Sequence, residues 1–284
     1  MSSQVTVYSP ESPLRNPLQL VKTIFSELWA ARELIGILFQ RDLKAAYRQS
    51  YFGYIWILVP PLMSAAIWIF LSGNKVVDQG DTGIPGPAFT LIGTTLWAIF
   101  NSAFNAPMGG FSAGSAVFMK LKVTPEAFIA TGLAKALFDS AIRFLLIIVP
   151  CLFIFKLWAG WGLLLFPVAI LTLMVFGTAL GYLLIPIGGL YSDIGRGIGL
   201  VMPILMYTAP VVYAIPATKN ILYHLIELNP LTPLIMAARD LLTTGHSYHL
   251  PEMFVILALS FPLLLVGMVL LRVAMPHLVV RMGM

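Results

Sequence analysis

Lys135, Asp139 and Arg143 stand four residues apart in an otherwise apolar stretch. On a helix, positions i, i+4 and i+8 fall on one face, so these charges form a ladder in which one carboxylate serves two cations. Such a ladder can hold helices together, or it can relay a proton or an ion. A second cationic set, Arg41, Lys44 and Arg48, shares one face of an amphipathic stretch and suits the headgroup layer of a membrane. A third, the pair Lys120 and Lys122, immediately precedes Thr124-Pro-Glu126, a helix start with proline in the first turn and an acid at the positive end. Other chemistry is missing. His246 and His249 lie in a polar loop and are read as solvated, so no metal site is expected. Glu126 and Asp193 are single carboxylates at helix ends. There is no Ser/His/Asp arrangement, no His-Glu-x-x-His and no G-x-x-x-x-G-K-[ST] loop to cradle nucleotide phosphates.

The elements that must position these residues are set by composition. Of 284 residues 59% are hydrophobic and only 10% charged, and the apolar residues gather into runs of bilayer length. A hydrocarbon layer needs about 20 apolar residues per helix, because nothing there but the helix itself satisfies backbone N–H and C=O groups. The chain is therefore expected to be an all-α integral membrane protein. The net charge of +5 is read as cations retained on one side of the membrane rather than as a nucleic-acid surface. One cysteine, Cys151, excludes an internal disulfide framework.

Residues 1–17 read as a polar leader and 18–49 as an amphipathic interfacial helix, with the transmembrane domain following over 50–284. Six spans are predicted at about 54–71, 88–107, 127–155, 161–187, 198–215 and 253–271. The first is expected to kink at Pro60-Pro61. A coupling segment is placed at 114–126, holding a short separate helix around Ala116–Val123. Two short re-entrant outer helices over 218–246, broken at Asn229-Pro230, precede the last span. The third span must draw in the Lys135-Asp139-Arg143 ladder, since its uncharged part, Phe144 to Phe155, is too short to cross. An intramembrane charge costs at least about 2.5–3.5 kcal/mol on insertion scales, so each should face protein or water. Six spans with the N-terminus inside put eleven Lys and Arg in inner segments and four, including Arg239, in outer loops. That asymmetry favours both termini in the cytoplasm.

Three pieces of sequence resemble one family. The stretch from Arg41 through Tyr47-Arg48, Gly53 and Trp56 to Pro60-Pro61-Leu62 looks like the beginning of the first span in type-2 ABC exporter permeases, in the branch exporting O-antigen, capsular polysaccharide and teichoic acid. Met119 to Asp139 resembles that family's cytoplasmic coupling segment running into a third span with an embedded Asp. Asn229-Pro-Leu-Thr-Pro-Leu-Ile-Met-Ala-Ala-Arg239 resembles its two short outer helices. The similarity extends over about residues 20–275. Lys135 and Arg143 depart from it, making the third span more charged than the family pattern.

The resemblance implies a homodimeric pore paired with two separate ABC ATPase subunits, which would bind ATP and Mg, leaving this chain without a cofactor or catalytic residues of its own. The cargo would be a polysaccharide on a polyprenyl-diphosphate or other lipid anchor, moved out of the cytoplasm. Lys120, Lys122, Thr124 and Glu126 would couple to the ATPase. Arg41, Lys44 and Arg48 would meet membrane lipids or the diphosphate of the cargo. Trp56, Tyr207 and Tyr213 would line the pore and slide against sugar rings, or else serve as ordinary interfacial aromatics. Two alternatives stay open from other classes. A polytopic glycosyltransferase or acyltransferase would need acids or a His at the interface, and the loops are short and acid-poor. An ion-coupled secondary transporter would use Asp139, but no internal repeat is evident.

Overall fold

Prolines and glycines set most of the helix ends. Pro125 opens a helix because its missing N–H is lost at no cost in the first turn, and Thr124 before it is held extended (φ −68°, ψ 128°). Pro60 and Pro61 act in the same way. The chain, described here by a computed structural model covering residues 17–48, 50–77, 79–118, 124–157, 160–215 and 221–282, contains ten α-helices and no strand among those residues. They are α1 (Pro17–Ala30), α2 (Arg32–Tyr47), α3 (Val59–Gly73), α4 (Gly86–Phe118), α5 (Pro125–Phe153), α6 (Gly162–Leu190), α7 (Ser192–Leu205), α8 (Ile221–Leu228), α9 (Leu231–Thr243) and α10 (Leu250–Met282). Short 3-10 turns, Gly53–Ile57 and Met206–Thr208, precede α3 and follow α7.

Among the described residues three helices, α5, α6 and α10, are long and apolar enough to cross a membrane, and α3 is a shorter apolar helix. Apolar side chains such as Leu145, Val149, Leu164, Leu171, Leu259 and Val266 point outward. Thr90, Thr95, Ser140 and Thr172 face in and donate their hydroxyls to the carbonyl four residues back. This is the arrangement a lipid solvent selects, since a hydroxyl in hydrocarbon must find a partner within the protein.

The centre is α6, buried along most of its length between α4, α9 and α10. Phe100 of α4 stacks on Phe176 of α6 with ring centroids 6.2 Å apart, and Phe144 of α5 stacks on Phe166 at 5.5 Å. A second apolar cluster, Ile24, Phe111, Ile129, Tyr182, Met268 and Leu271, fastens α1 to the ends of α4, α5, α6 and α10.

Several expectations change. The amphipathic stretch expected as one helix over 18–49 is two, broken at Ala31 (φ −83°, ψ 1°). The first span has no mid-helix kink, because Pro60-Pro61 sits in the first turn of α3, where proline is tolerated. The helix expected over 88–107 runs on through Pro107 to Phe118, so the start of the 114–126 segment belongs to α4. Lys120 and Lys122, and most of the short helix expected around them, lie outside the described residues. The span expected at 198–215 is a 14-residue helix that begins earlier, at Ser192, and stops at Leu205. Pro210 holds Ala209 extended (φ −121°, ψ 153°), and no helix follows up to residue 215. The last helix extends from 250 to 282, absorbing the tail that carries Arg272 and His277.

Candidate functional site

The ladder residues lie in one cleft. Lys135, Asp139 and Arg143 of α5 line a space of about 880 Å³ together with Arg41 and Asp42 of α2 and Asn101, Ser102 and Asn105 of α4. Along the cleft α4 and α5 touch closely at Ala106, Gly110, Phe128 and Gly132, which themselves line it. A Cβ on Gly132 would fall 2.7 Å from the Ala106 carbonyl oxygen, and one on Gly110 would fall 2.6 Å from that of Phe128, so only glycine permits this approach. Phe138 of α5 receives Phe39 of α2 edge-on at 6.2 Å and Tyr54 at 5.6 Å, which props α2 beside α5.

Within the cleft the charges are unevenly satisfied. Arg41 donates its Nε to Asp42 Oδ1 at 2.8 Å, and its Nη2 lies 2.7 Å from the same oxygen. Lys135 and Arg143 both act electrostatically on Asp139. Yet Asp139 Oδ1 is buried with no hydrogen-bond partner among the described residues, so the ladder is not closed at that oxygen. Of the second cationic set only Arg41 reaches the cleft; Lys44 and Arg48 are exposed on α2 and just beyond it.

A second charged centre was not anticipated. Arg272 of α10 donates its Nε to Glu126 Oε1 and its Nη2 to Glu27 Oε2, joining α10, the first turn of α5 and α1. Glu126 is only 1% exposed, so it is an interior partner of Arg272 rather than an open surface charge, and its Oε2 has no hydrogen-bond partner among the described residues. Thr124, beside it, is half-buried. No sequence spacing relates residues 27, 126 and 272. The one available signal was that Glu126 and Arg272 each stand at an inner end of a predicted span, while Glu27 lies within the amphipathic stretch 18–49.

A third polar centre lies at the opposite end of α4. Arg239, expected in an outer loop, is instead buried at 5% exposure. Its Nη2 donates to the carbonyls of Pro210 (2.9 Å) and Val211 (3.0 Å), and its guanidinium carbon stands 3.6 Å from the centroid of the Phe89 ring. Those carbonyls are free because Pro210 ended the helix. Burial pushes the Arg239 pKa down to about 9 against the opposing pull of Asp240, so it remains charged at neutral pH. Gly93 makes room, since a Cβ there would fall 1.8 Å from the Val211 carbonyl oxygen. Asn229 pivots the same region. Its Nδ2 donates to the Thr208 carbonyl at 3.0 Å, and its Oδ1 accepts from the N–H of Leu231 at 2.9 Å, opening α9. His249 pairs with Glu252 (Nδ1 to Oε2, 2.6 Å) on the adjoining turn of α10.

Two of the three aromatic candidates meet. The Tyr213 hydroxyl donates to the Tyr207 carbonyl at 2.5 Å, and the Tyr207 ring lies 5.9 Å from that of Trp68 on α3. Trp56 is apart from them, with its ring against Phe52 before the start of α3. Both Trp56 and Tyr207 are exposed.

Residues 33–243, which hold the cleft and the Arg239 centre, match the family described as ABC-2 type transporter. The chain is 25% identical over 241 residues to the O-antigen export system permease protein RfbA of Myxococcus xanthus, covering 82% of this chain and 88% of that one. It is 26% identical over 222 residues to an RfbA of Klebsiella pneumoniae (75% and 81% covered). With the polysialic acid transport protein KpsM of Escherichia coli it shares 20% over 215 residues (75% and 82% covered).

Proposed function

This chain belongs to the ABC-2 type transporter family and is a multi-pass membrane protein, and from that premise we propose that it is the transmembrane subunit of an ATP-driven exporter of a lipid-linked polysaccharide. The cargo is an O-antigen-like, capsular or teichoic-acid-like polymer moved from the cytoplasm to the outer side of a bacterial cytoplasmic membrane. The observation that carries this reading is the family match, with relatives whose names specify O-antigen export and polysialic acid transport. The sequence also has no loop to hold nucleotide phosphates, so ATP and Mg belong to a separate ATPase.

In this reading six passages cross the membrane: α3 with its preceding turn, α4, α5, α6, α7 with the segment after it, and α10. Both termini are cytoplasmic. Helix α3 alone, 15 residues long, would reach only about 22 Å, short of a hydrocarbon core of about 30 Å, so the Gly53–Ile57 turn completes the crossing. Exposed apolar faces of α3 (Met63, Ile67, Phe70) and α7 (Leu200, Val201, Ile204) face a second copy across the pore. Helices α1 and α2 lie at the inner interface, Lys120, Lys122 and Thr124 meet two ATPase copies, and α8 and α9 gate the outer end.

The test is co-expression with a candidate ABC ATPase subunit from the same genome, followed by particle mass, ATP turnover in nanodiscs and surface polymer in cells lacking either gene. Two permease and two ATPase copies, with turnover altered by reversing Lys120 and Lys122, is the expected result. A chain that binds no ATPase and processes a lipid-linked substrate alone would make it a membrane enzyme instead.

A further inference from the structure

The charged cleft between α2, α4 and α5 has the composition of a ligand site, and we propose that it binds the phosphate-bearing, hydroxyl-rich headgroup of a membrane amphiphile. The exporter reading supplies the source of that ligand, the diphosphate and first sugar of the lipid-linked cargo. The chemistry of the site stands on its own geometry.

Position is the first argument. Along α5, Lys135, Asp139 and Arg143 lie about 15, 21 and 27 Å from Pro125 at 1.5 Å per residue. Arg41 on α2 and the three ladder residues carry charge from α2 into the depth of the bundle, in steps of about 6 Å along α5. Space is the second. The α4 wall of the cleft carries Ala98, Ala106 and Gly109, and no large side chain from it fills the roughly 880 Å³ opening. The third is the mixture of groups. Cations alone would suit any anion, and a lone carboxylate would suit a cation, but Lys135 and Arg143 flank Asp139 and oppose a bound cation. Asn101, Ser102 and Asn105 add neutral donors and acceptors, and Asn105 Nδ2 donates to Asn101 Oδ1 at 2.9 Å. Phosphate oxygens accept from Lys135 and Arg143. A neighbouring hydroxyl donates to Asp139 Oδ1, a buried acceptor with no hydrogen-bond partner among the described residues. One ligand class answers every group present.

The experiment uses the full chain in detergent, titrated with farnesyl diphosphate, farnesol and inorganic pyrophosphate. Wild type is expected to bind farnesyl diphosphate and to ignore farnesol. Lys135→Gln with Arg143→Gln is expected to weaken binding at least tenfold, while Lys156→Gln, which removes a cation outside the cleft, stays within twofold. Ala98→Phe, which fills the cleft without touching a charge, should also abolish binding and serves if the double variant fails to fold. Displacement by phosphatidylglycerol micelles would assign the site to bulk lipid headgroups. Resistance to it would assign the site to a lipid-linked substrate, and either result supports the phosphate chemistry. Undiminished binding in both the double variant and Ala98→Phe, or equal binding of farnesol, overturns the proposal. Because the titration needs no ATPase, failure of export with binding retained would count against the exporter reading alone.

Discussion

Replacing Arg272 with Met is the most informative single perturbation of this fold. The methionine keeps the unbranched apolar stem of the side chain but removes the cation that joins Glu27 to Glu126. Glu126 is almost fully buried, so its carboxylate would be left without its counter-charge. Breaking a buried ion pair from one side costs about 3–5 kcal/mol, chiefly because the remaining charge stays desolvated. Placement of Glu126 in the first turn of α5 recovers about 0.3–1 kcal/mol through the helix dipole. The net expectation is a loss of about 2–4 kcal/mol. Glu126→Gln should cost less, about 1–3 kcal/mol, since Arg272 keeps Glu27 as a partner. Glu27→Gln should cost least, about 0.2–1 kcal/mol, because Glu27 is about one-third exposed and already partly solvated. The assay is chemical or thermal unfolding of the purified protein in one detergent, followed by helical signal. The pairwise test is decisive. In a Glu126→Gln background, Arg272→Met should cost clearly less than in wild type, by at least about 1 kcal/mol, because the buried charge is already gone. If Arg272→Met falls within about 0.5 kcal/mol of wild type, as ordinary surface substitutions do, the clamp contributes nothing and the reasoning fails.

Two further outcomes follow from the same geometry. Arg239→Lys should destabilise the outer end nearly as much as Arg239→Met, by about 2–4 kcal/mol, because an ammonium cannot reproduce a planar guanidinium that lies over Phe89 while donating to two carbonyls; faster hydrogen exchange confined to residues around 209–215 would report it, and unchanged exchange in Arg239→Met would refute it. Single cysteines at Arg48 and Lys156, in a Cys151→Ala background, should be labelled by an impermeant maleimide from opposite sides of sealed vesicles, with Arg48→Cys reached only from the cytoplasmic side; labelling of both from one side would overturn the proposed topology.

How far the sequence could be read depended on whether a feature was local. Helices α5 and α6 were legible because long uncharged runs leave no alternative for backbone groups in hydrocarbon. The ladder was legible too, since four-residue spacing on a helix is a local fact. The break at Asn229-Pro230 was visible for the same reason. Helices α3 and α7 were misjudged because a proline reads the same in any position, yet it costs nothing in a first turn and ends a helix when its carbonyls find another donor. For α7 that donor is Arg239, about thirty residues downstream, so neither residue could be interpreted without the other. The Glu27–Arg272–Glu126 clamp was invisible because it joins residues separated by most of the chain.

The clamp and the cleft are connected by one rigid element. Helix α5 begins at Glu126, held by Arg272, and carries Lys135, Asp139 and Arg143 on the face that lines the cleft. Its contact with α4 through Gly110 and Gly132 is backbone against backbone, with no flexible side chains to absorb a shift. The segment just before Thr124 is where the exporter reading puts the ATPase contact. A push there reaches α5 at its first turn, and α5 can respond only by moving against α4 or by pulling on Arg272 and, through it, α1 and α10. A response that shifts α5 relative to α2 changes the separation between the ladder on α5 and Arg41 on α2. Partner motion and headgroup affinity would then be two ends of one equilibrium, and by linkage a ligand in the cleft must bias the position of α5 as strongly as α5 biases the ligand.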